Sequence, residues 1–259
     1  MHKKIILSFL LFFCGACSPQ KKPGVLTIQA NSVPQSELLE LIADDLQKEG
    51  IFLKILILDD YNLPNRALSE GDIDANFFQH IPFLQEQIDS FHYDLSPLVQ
   101  VHIEPMGLYS HRKDLSQIVD HGVISLPSDP TNQTRALLLL EKGGLIALRK
   151  GKTTLSLLDI SENKKSLFFQ EIDAAMLTRT LDEVEAAIIP TNYAFLRNLS
   201  PTKDALLVED KTSLYANIIA VRTKDLSKPE LLALKKHITS EKMRAYIQST
   251  YQGDLLLAE

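Results

Sequence analysis

The sequence predicts an α/β protein with parallel sheets, and three observations support this fold class. The 259 residues are 45% hydrophobic and 23% charged, a composition typical of a globular protein with a sizeable core. Short apolar segments alternate with amphipathic segments of helical period, which indicates βαβ units. The alternation is interrupted once, near residues 98–110, and then resumes, so we expect two α/β lobes joined by close crossovers.

The amino terminus predicts an export signal. Residues 1–4 (MHKK) form a basic start, residues 5–14 are almost entirely apolar, and the small residues Gly15 and Ala16 follow. This pattern is typical of a secretory signal peptide, here residues 1–16. As a helix, such an apolar run would reach only ~15 Å, about half of a ~30 Å bilayer core, so we do not expect it to span a membrane.

Cys17 follows this segment directly and is a candidate for lipidation. Small residues before it and Ser18 after it resemble a lipobox, the site at which bacterial lipoproteins are acylated and cleaved. Acyl chains would hold the protein on a membrane surface, with residues 17–24 as a lipidated tether. The alternative is a plain signal peptide cut near Ala16, with an incidental cysteine. Either way the mature chain has one cysteine at most and no disulfide.

The charge balance disfavours nucleic acid as a partner. The chain has 27 Lys and Arg against 33 Asp and Glu, a formal net charge of −6. Cleavage would remove Lys3 and Lys4 and no acidic residue, which leaves −8 on the mature chain. An acidic surface gives no affinity for a phosphate backbone.

The first half of the chain reads as strands and helices in alternation. The first helix opens near Pro34 and Ser36, carries an apolar face and stops at Gly50, a residue typical of a helix end. Another glycine, Gly71, ends the next helix. The predicted elements of this half are strands 25–29, 51–58 and 73–77, helices 36–49, 63–70 and 82–88, and an extended stretch 98–110.

The second half repeats this alternation, and no low-complexity tract or long linker interrupts it. We expect ligands of such sheets to bind outside the carboxyl ends of the strands. The predicted elements of this half are strands 123–126, 167–172, 186–189 and 216–221, and helices 133–142, 178–184, 228–237 and 241–251.

Metal, cofactor and enzyme motifs are missing from the sequence. Residues 72–76 mimic the start of a calcium loop, but Phe77 and Phe83 stand where that loop needs Gly and Glu. The seven histidines are scattered, and no P-loop, G-x-G-x-x-G or G-x-S-x-G occurs. We therefore predict no metal, no cofactor and no catalytic residues.

Arg135 is a candidate ligand contact. The loop 128–132 places it in the first turn of a helix, where a cation opposes the helix dipole unless an anion lies nearby. Helix amides and a guanidinium together suit a carboxylate ligand. The alternative is an ordinary ion pair with Asp129 or a neighbouring acid. Residues 76–80, Asn192 and Asn217 also follow or begin strands, where pocket walls and ordinary turns or core are both reasonable.

Several blocks of the sequence, in order, resemble the NlpA-type lipoproteins, the substrate-binding proteins of bacterial methionine ABC importers. The resemblance covers nearly all of the mature chain. The blocks are Val33-Pro34, residues 71–80 (GDIDANFFQH), 101–110 (VHIEPMGLYS), 129–132 (DPTN) with 135–140 (RALLLL), 192–194 (NYA), 201–206 (PTKDAL) and 215–217 (YAN). The chain departs from the family at Gln29-Ala30, at residues 34–37 (PQSE) and at Pro190.

The resemblance implies a two-lobed periplasmic-binding-protein fold of type II, with the ligand cleft between the lobes. Lobe I would comprise residues 25–107 and 215–259, and lobe II residues 108–214. The family also implies roles for six side chains. Arg135 would bind the amino-acid carboxylate, Asn192 and Asn217 would orient the ammonium and carboxylate groups, and Tyr61, Phe78 and His80 would form the wall of a thioether pocket, where sulfur packs well on aromatic edges.

The function implied is that of an extracytoplasmic, lipid-anchored binding protein, expected to be a monomer, that delivers methionine to the permease and ATPase subunits of an ABC importer. L-methionine, D-methionine and a methionine dipeptide all stay open as ligands, as does the membrane that carries the anchor. Two alternatives remain, a surface lipoprotein with an adhesive or scaffolding role and a secreted hydrolase. The hydrolase would need a nucleophile and base after strand ends, and the sequence offers no such pair.

Overall fold

The structure, a computed structural model, describes residues 24–210 and 214–258. The predicted signal peptide, Cys17 and the rest of the tether before Gly24 lie outside the described residues. Within these ranges no helix has the length and apolar character needed to cross a membrane. The strands form two main sheets and a two-stranded ribbon.

The strands of the described residues are numbered in chain order. They are β1 (Val25–Ala30), β2 (Phe52–Ile57), β3 (Ala75–His80), β4 (Leu95–Ile103), β5 (Gly107–Tyr109), β6 (Val123–Pro127), β7 (Ala147–Leu148), β8 (Ile160–Glu162), β9 (Phe168–Ile172), β10 (Ala186–Ile189), β11 (Leu207–Val208), β12 (Ala216–Arg222) and β13 (Leu256–Leu257).

The α-helices of the same residues flank these strands. They are α1 (Glu37–Lys48), α2 (Pro64–Glu70), α3 (Ile81–Phe91), α4 (Pro130–Lys142), α5 (Leu177–Thr180), α6 (Thr191–Leu196), α7 (Pro201–Asp204), α8 (Pro229–Ile238) and α9 (Glu241–Tyr251).

The larger sheet has the strand order β13-β4-β12-β3-β1-β2. Strands β2, β1 and β3 run parallel, whereas β12 is antiparallel to both β3 and β4. Its core packs α1, α8 and α9 against one face, with Leu39 of α1 and Leu234 of α8 fully buried. Helices α2 and α3 cover the other face. Because both faces are covered, β3 and β12 are buried along their whole lengths.

The smaller sheet has the order β11-β5-β10-β6-β9. Its strands β10, β6 and β9 run parallel. Apolar residues of α4, among them Leu137 and Leu140, pack on one side, and α5 and α6 form a second cluster around Leu177 and Tyr193. We call each sheet with its helices a lobe, the larger-sheet lobe and the smaller-sheet lobe.

The chain passes between the lobes twice. It leaves the larger sheet after β4 and enters the smaller sheet at β5, and it returns between β11 and β12. The two crossover segments are joined by hydrogen bonds from Met106 N to Glu209 Oε2 (2.8 Å) and from Glu209 N to the Met106 carbonyl (3.0 Å). The predicted extended stretch 98–110 is thus two strands of different sheets, interrupted at residues 104–106.

The order of the longer elements agrees with the sequence prediction, including the end of α2 at Gly71, which has the left-handed φ of 90°. One helix is shorter than predicted. We expected it over 178–184, but α5 ends at Thr180. The Thr180 hydroxyl donates to the Leu177 carbonyl (2.9 Å) and Arg197 donates to the Thr178 carbonyl, so side chains engage carbonyls that a longer helix would use.

Candidate functional site

A cavity with about 340 Å³ of empty space, part of it open to solvent, lies between the two lobes. The larger sheet contributes the carboxyl ends of β3 and β4 and the start of β12. The smaller-sheet lobe contributes the first two turns of α4 and the first turn of α6, which follow β6 and β10. The lining residues are Tyr61, Phe78, Gln79, His80, Phe83, Glu104, Asn132, Arg135, Pro190, Thr191, Asn192 and Asn217.

All six candidate residues of the sequence analysis line this cavity. Arg135 and Asn192 come from the smaller-sheet lobe. The larger-sheet lobe contributes the other four, which are Phe78 and His80 on β3, Asn217 on β12, and Tyr61 in the segment after β2. The return of the chain to the middle of the larger sheet places Asn217 directly opposite His80 on one side and His102 on the other.

Arg135 is buried in the second turn of α4, one turn later than expected, and its partner is an acid distant in sequence. Its Nε donates to Glu209 Oε1 (2.9 Å) and its Nη2 to Glu209 Oε2 (2.5 Å), a bidentate ion pair. Asp129, the acid that the sequence suggested as a partner, caps the helix instead, by accepting from Asn132 N (2.9 Å). Burial lowers the pKa of the Arg135 guanidinium, but the Glu209 carboxylate outweighs burial and raises it above its ordinary value.

The remaining contacts of Arg135 tie it to the crossovers and to its own helix. Nη2 also donates to the Glu104 carbonyl (3.0 Å), and Nη1 donates to Asn132 Oδ1 (3.1 Å). The guanidinium lies over the Tyr215 ring, 4.5 Å from its centre. A guanidinium has five N–H groups, so one on Nη1 has no acceptor among the described residues.

Glu104 is a buried carboxylate in the cavity wall that the sequence analysis did not select. Its Oε1 accepts from Gln35 Nε2 (2.5 Å) and from His102 Nε2 (2.8 Å). Its Oε2 accepts only from the backbone N–H of Asn192 (3.2 Å) among the described residues. The site therefore holds one carboxylate with remaining acceptor capacity facing the cavity.

Two amides add hydrogen-bond donors to the same cavity. Asn192 is almost fully buried; its Oδ1 accepts from the Tyr61 hydroxyl (2.7 Å), and its Nδ2 has no partner among the described residues. Asn217 Oδ1 accepts from Gln35 Nε2 (3.2 Å). Burial raises the pKa of Tyr61 well above its ordinary value, so its hydroxyl stays protonated and can donate.

Aromatic rings form the apolar end of the cavity. Tyr61 lies 5.8 Å from Phe78 and 5.9 Å from Phe83, measured between ring centres. Phe78 and Phe83 meet edge to face at 5.8 Å, and Tyr193 of the opposite lobe lies 5.2 Å from Tyr61. Tyr61, Phe78 and Phe83 give the cavity an apolar wall, a surface on which a thioether or hydrocarbon side chain packs well.

His80 joins the aromatic and polar parts and is neutral. Its Nδ1 accepts from the backbone N–H of Phe83 (3.1 Å), so the ring proton lies on Nε2, which faces Asn132 Oδ1 (3.2 Å). Burial, together with the nearby charge of Arg135, lowers the pKa of His80 to about 3. The cavity therefore places an uncharged imidazole beside its apolar end.

The sequence analysis assigned no ligand contact to the other six residues that line the cavity, which are Gln79, Phe83, Glu104, Asn132, Pro190 and Thr191. Asn132 and Glu104 lie within blocks that carry the family resemblance, and Phe83 and Gln79 lie next to or within the polar end of β3. The signal that could have found them is position, because each follows or ends a strand, or opens the helix after it. Cys17, the predicted lipidation site, lies outside the described residues.

Comparisons with known proteins agree with this architecture. The D-methionine-binding lipoprotein MetQ of Escherichia coli is 42% identical over 227 residues, which cover 84% of this chain and 82% of that protein. Outer membrane lipoprotein 3 of Mannheimia haemolytica is 37% identical over 255 residues, 97% of this chain and 95% of that protein. The solved structure of a nutrient binding protein from Burkholderia cenocepacia bound to methionine superimposes with a TM-score of 0.87 at 39% identity, over 90% of this chain and all of that one.

The predicted two-lobed periplasmic-binding-protein fold is confirmed by this structural similarity. The sequence profile of the NlpA lipoprotein family matches residues 26–258, from the start of β1 to the end of the described chain. This chain therefore belongs to the NlpA lipoprotein family.

Proposed function

We propose that the protein is a lipid-anchored, extracytoplasmic binding protein that captures methionine and delivers it to an ABC importer. The observation that carries the proposal is the pairing of opposite hydrogen-bonding groups in one cavity. Arg135 and Asn192 offer donors without acceptors among the described residues, and Glu104 offers acceptor capacity, all at the polar end of an aromatic pocket. A free amino acid with an apolar side chain has the complementary groups.

The ligand's two charged groups would take opposite sides of the polar end. Its carboxylate would accept hydrogen bonds from the free N–H of Arg135 and from the Asn192 and Asn217 amides. Its ammonium would donate to Glu104 Oε2. Its side chain would lie among Tyr61, Phe78 and His80, where a neutral imidazole avoids placing a charge beside the thioether.

The ligand identity draws support from the relatives. The Escherichia coli relative is named for D-methionine, and the Burkholderia cenocepacia structure contains methionine. We propose methionine on this ground and leave the enantiomer and a methionine dipeptide as outcomes of the binding test.

Transport would use the two lobes as separate bodies. We propose lobes of residues 25–107 with 215–259, and of residues 108–214, which close on the ligand by a hinge motion at the crossovers. Contacts of ligand with both lobes would bias an existing equilibrium between open and closed forms. The closed form would then dock on the permease and its ATPase subunits, with the binding protein acting as a monomer and catalysing no reaction.

The anchor would be Cys17. The names of the relatives include membrane-associated lipoproteins, and acylation of Cys17 would place the protein on the outer face of a membrane or in the periplasm. Metabolic labelling with palmitate should label the wild-type protein and leave the Cys17→Ser variant unlabelled. Equal labelling of the two proteins, or no labelling of the wild type, would contradict lipidation at Cys17.

Titration calorimetry tests the binding function directly. Protein stripped of ligand by unfolding and refolding should release or absorb heat with L-methionine, D-methionine or a methionine dipeptide. L-leucine, similar in size but without sulfur, should bind more weakly because sulfur gains contacts with aromatic edges. Absence of binding to all three methionine compounds by correctly refolded protein would contradict the proposal.

A further inference from the structure

Gln35 does not line the cavity, yet it contacts two residues that do. It lies in the turn before α1, formed by residues 32–36, and its side chain is fully buried. Its Nε2 donates to Glu104 Oε1 (2.5 Å) and to Asn217 Oδ1 (3.2 Å). One amide nitrogen therefore bridges an acidic and an amide side chain of the site.

The chemistry of these contacts fixes the orientation of both amides. An ionised carboxylate can only accept hydrogen bonds, so Gln35 must turn its nitrogen toward Glu104. The second N–H of that nitrogen then needs an acceptor, which makes Asn217 present Oδ1 to Gln35. Asn217 lines the cavity, and the described residues provide no acceptor for its Nδ2. The donor end of Asn217 is therefore available to a ligand.

The same contacts divide the two oxygens of Glu104. Oε1 is occupied by Gln35 and His102, whereas Oε2 accepts only from Asn192 N among the described residues. The Oε1 of Gln35 itself is buried and has no partner in the described part of the chain, which is destabilising by itself. The contribution of Gln35 to the site therefore comes from the two hydrogen bonds that its Nε2 donates.

We infer that Gln35 is a positioning residue that sets the hydrogen-bonding polarity of the cavity, holding Asn217 with its N–H toward the ligand so that the site prefers a carboxylate to a neutral amide. The inference rests on the proposed function, because it explains how the proposed methionine site would distinguish a ligand carboxylate from a neutral amide. It concerns a residue that would not touch the ligand.

The test replaces Gln35 with Met, which has a similar length and no N–H, and measures the affinities for L-methionine and L-methioninamide. Without Gln35, the Asn217 amide is free to turn its oxygen toward the ligand. L-methionine should then bind about 10- to 100-fold more weakly, the value of one hydrogen bond to a charged group. L-methioninamide should lose less, because its amide can both donate and accept, so the preference for the carboxylate should shrink.

Gln29→Met is the matched control. Gln29 is also buried, and its Nε2 donates to the Leu58 carbonyl (2.8 Å), away from Glu104 and Asn217. This variant should keep the wild-type ratio of the two affinities. A Gln35→Met protein that also keeps the wild-type ratio would overturn the inference.

A second variant decides the matter if Gln35→Met does not fold. Asn217→Asp keeps the oxygen that faces Gln35 and replaces the cavity-facing N–H₂ with an oxygen. It should bind L-methionine at least about 100-fold more weakly and L-methioninamide with a smaller loss. If Asn217→Asp binds L-methionine as tightly as the wild type does, the inference is wrong and the proposed function stands. If the wild-type protein does not bind methionine, both the proposed function and the inference are wrong.

Discussion

Two arginines of the described residues, Arg135 and Arg222, are buried beside carboxylates, and they differ in the segments that they join. Arg222 donates to Asp225 Oδ2 (2.7 Å) and to the Leu68 and Ile73 carbonyls (2.8 and 2.6 Å), all within the larger-sheet lobe. Arg135, by contrast, pairs with Glu209 and the Glu104 carbonyl on the crossovers.

This difference shows that burial and ion pairing alone do not identify a ligand site. Both side chains are nearly inaccessible and both have carboxylate partners. Of the two, Arg135 lines the cavity between the lobes and Arg222 does not. A charged residue becomes a candidate ligand contact through its place at the cleft, and the following predictions test that distinction.

The largest expected effect is on stability. Replacing Arg222 with Ala would leave Asp225 and Asp74 buried with less compensation, so the free energy of unfolding should fall by about 3–5 kcal/mol. Guanidinium denaturation measures this loss, and calorimetry on the remaining folded protein should find unchanged methionine affinity. A strong loss of affinity with unchanged stability would remove the distinction between the two arginines.

The second effect concerns affinity. The double variant Arg135→Ala with Glu209→Gln removes both charges and leaves no unpaired carboxylate. Methionine should bind about 100-fold more weakly or worse, because a charge-assisted hydrogen bond to the ligand carboxylate is lost. Glu209→Gln alone, which keeps the guanidinium, is the control and should still bind methionine. Equal affinity of the double variant and the wild type would assign Arg135 a purely structural role.

The third effect is a pH dependence. The unfolded chain protonates His80 near pH 6.5, whereas the folded chain does so only at about pH 3, so the unfolded state binds the extra proton between these values. The free energy of unfolding should therefore fall as the pH drops through this range, by up to about 1.4 kcal/mol per pH unit from His80. Denaturation curves measured at several pH values give the free energy of unfolding of each protein. Its dependence on pH should be steeper in the wild type than in His80→Gln, by this amount.

The two arginines should affect this slope differently. Arg135 faces His80 and helps to lower its pKa, while Asn132 bridges them. In the double variant at Arg135 and Glu209, the free energy of unfolding should depend on pH over a narrower range than in the wild type. In Arg222→Lys this range should be unchanged. The same range in all three proteins would mean that burial alone lowers the pKa of His80.

The smallest expected effect comes from one hydrogen bond between the lobes. Tyr61→Phe keeps the ring and removes the hydroxyl that donates to Asn192 Oδ1 (2.7 Å). Binding should weaken by about 0.5–1.5 kcal/mol, the value of a neutral hydrogen bond. Calorimetry would measure the loss, and a decrease as large as that of the Arg135 variant would contradict this ranking.

The alternation of apolar and amphipathic segments predicted the order of the longer elements, and the resemblance to the NlpA-type lipoproteins supplied the six residues that line the cavity. Strand ends and helix starts converge in an α/β fold, which brings five of the six together. The sequence could not select the partner of Arg135. Glu209 lies 74 residues away and reaches the guanidinium only because β11 and the crossover bring it there.

Gln35 and Glu104 illustrate a second limit. Its place directly after β4 makes Glu104 a possible pocket residue, but nothing in the local sequence indicates that Gln35, which precedes a helix, is its partner. Their contact joins residues 69 positions apart, and that of Gln35 with Asn217 joins residues 182 apart. Buried polar networks of this kind depend on the packing of several elements, which periodicity does not encode.

The position of Arg135 also determines how many bonds a transport cycle must break. Its partners Glu209, Glu104 and Tyr215 lie on the segments that would act as the pivot, where displacement is smallest. Opening would separate Tyr61 from Asn192 and His80 from Asn132, which are neutral pairs. The buried ion pair could then stay dry through every turnover, so each release of cargo would avoid rehydrating two charges.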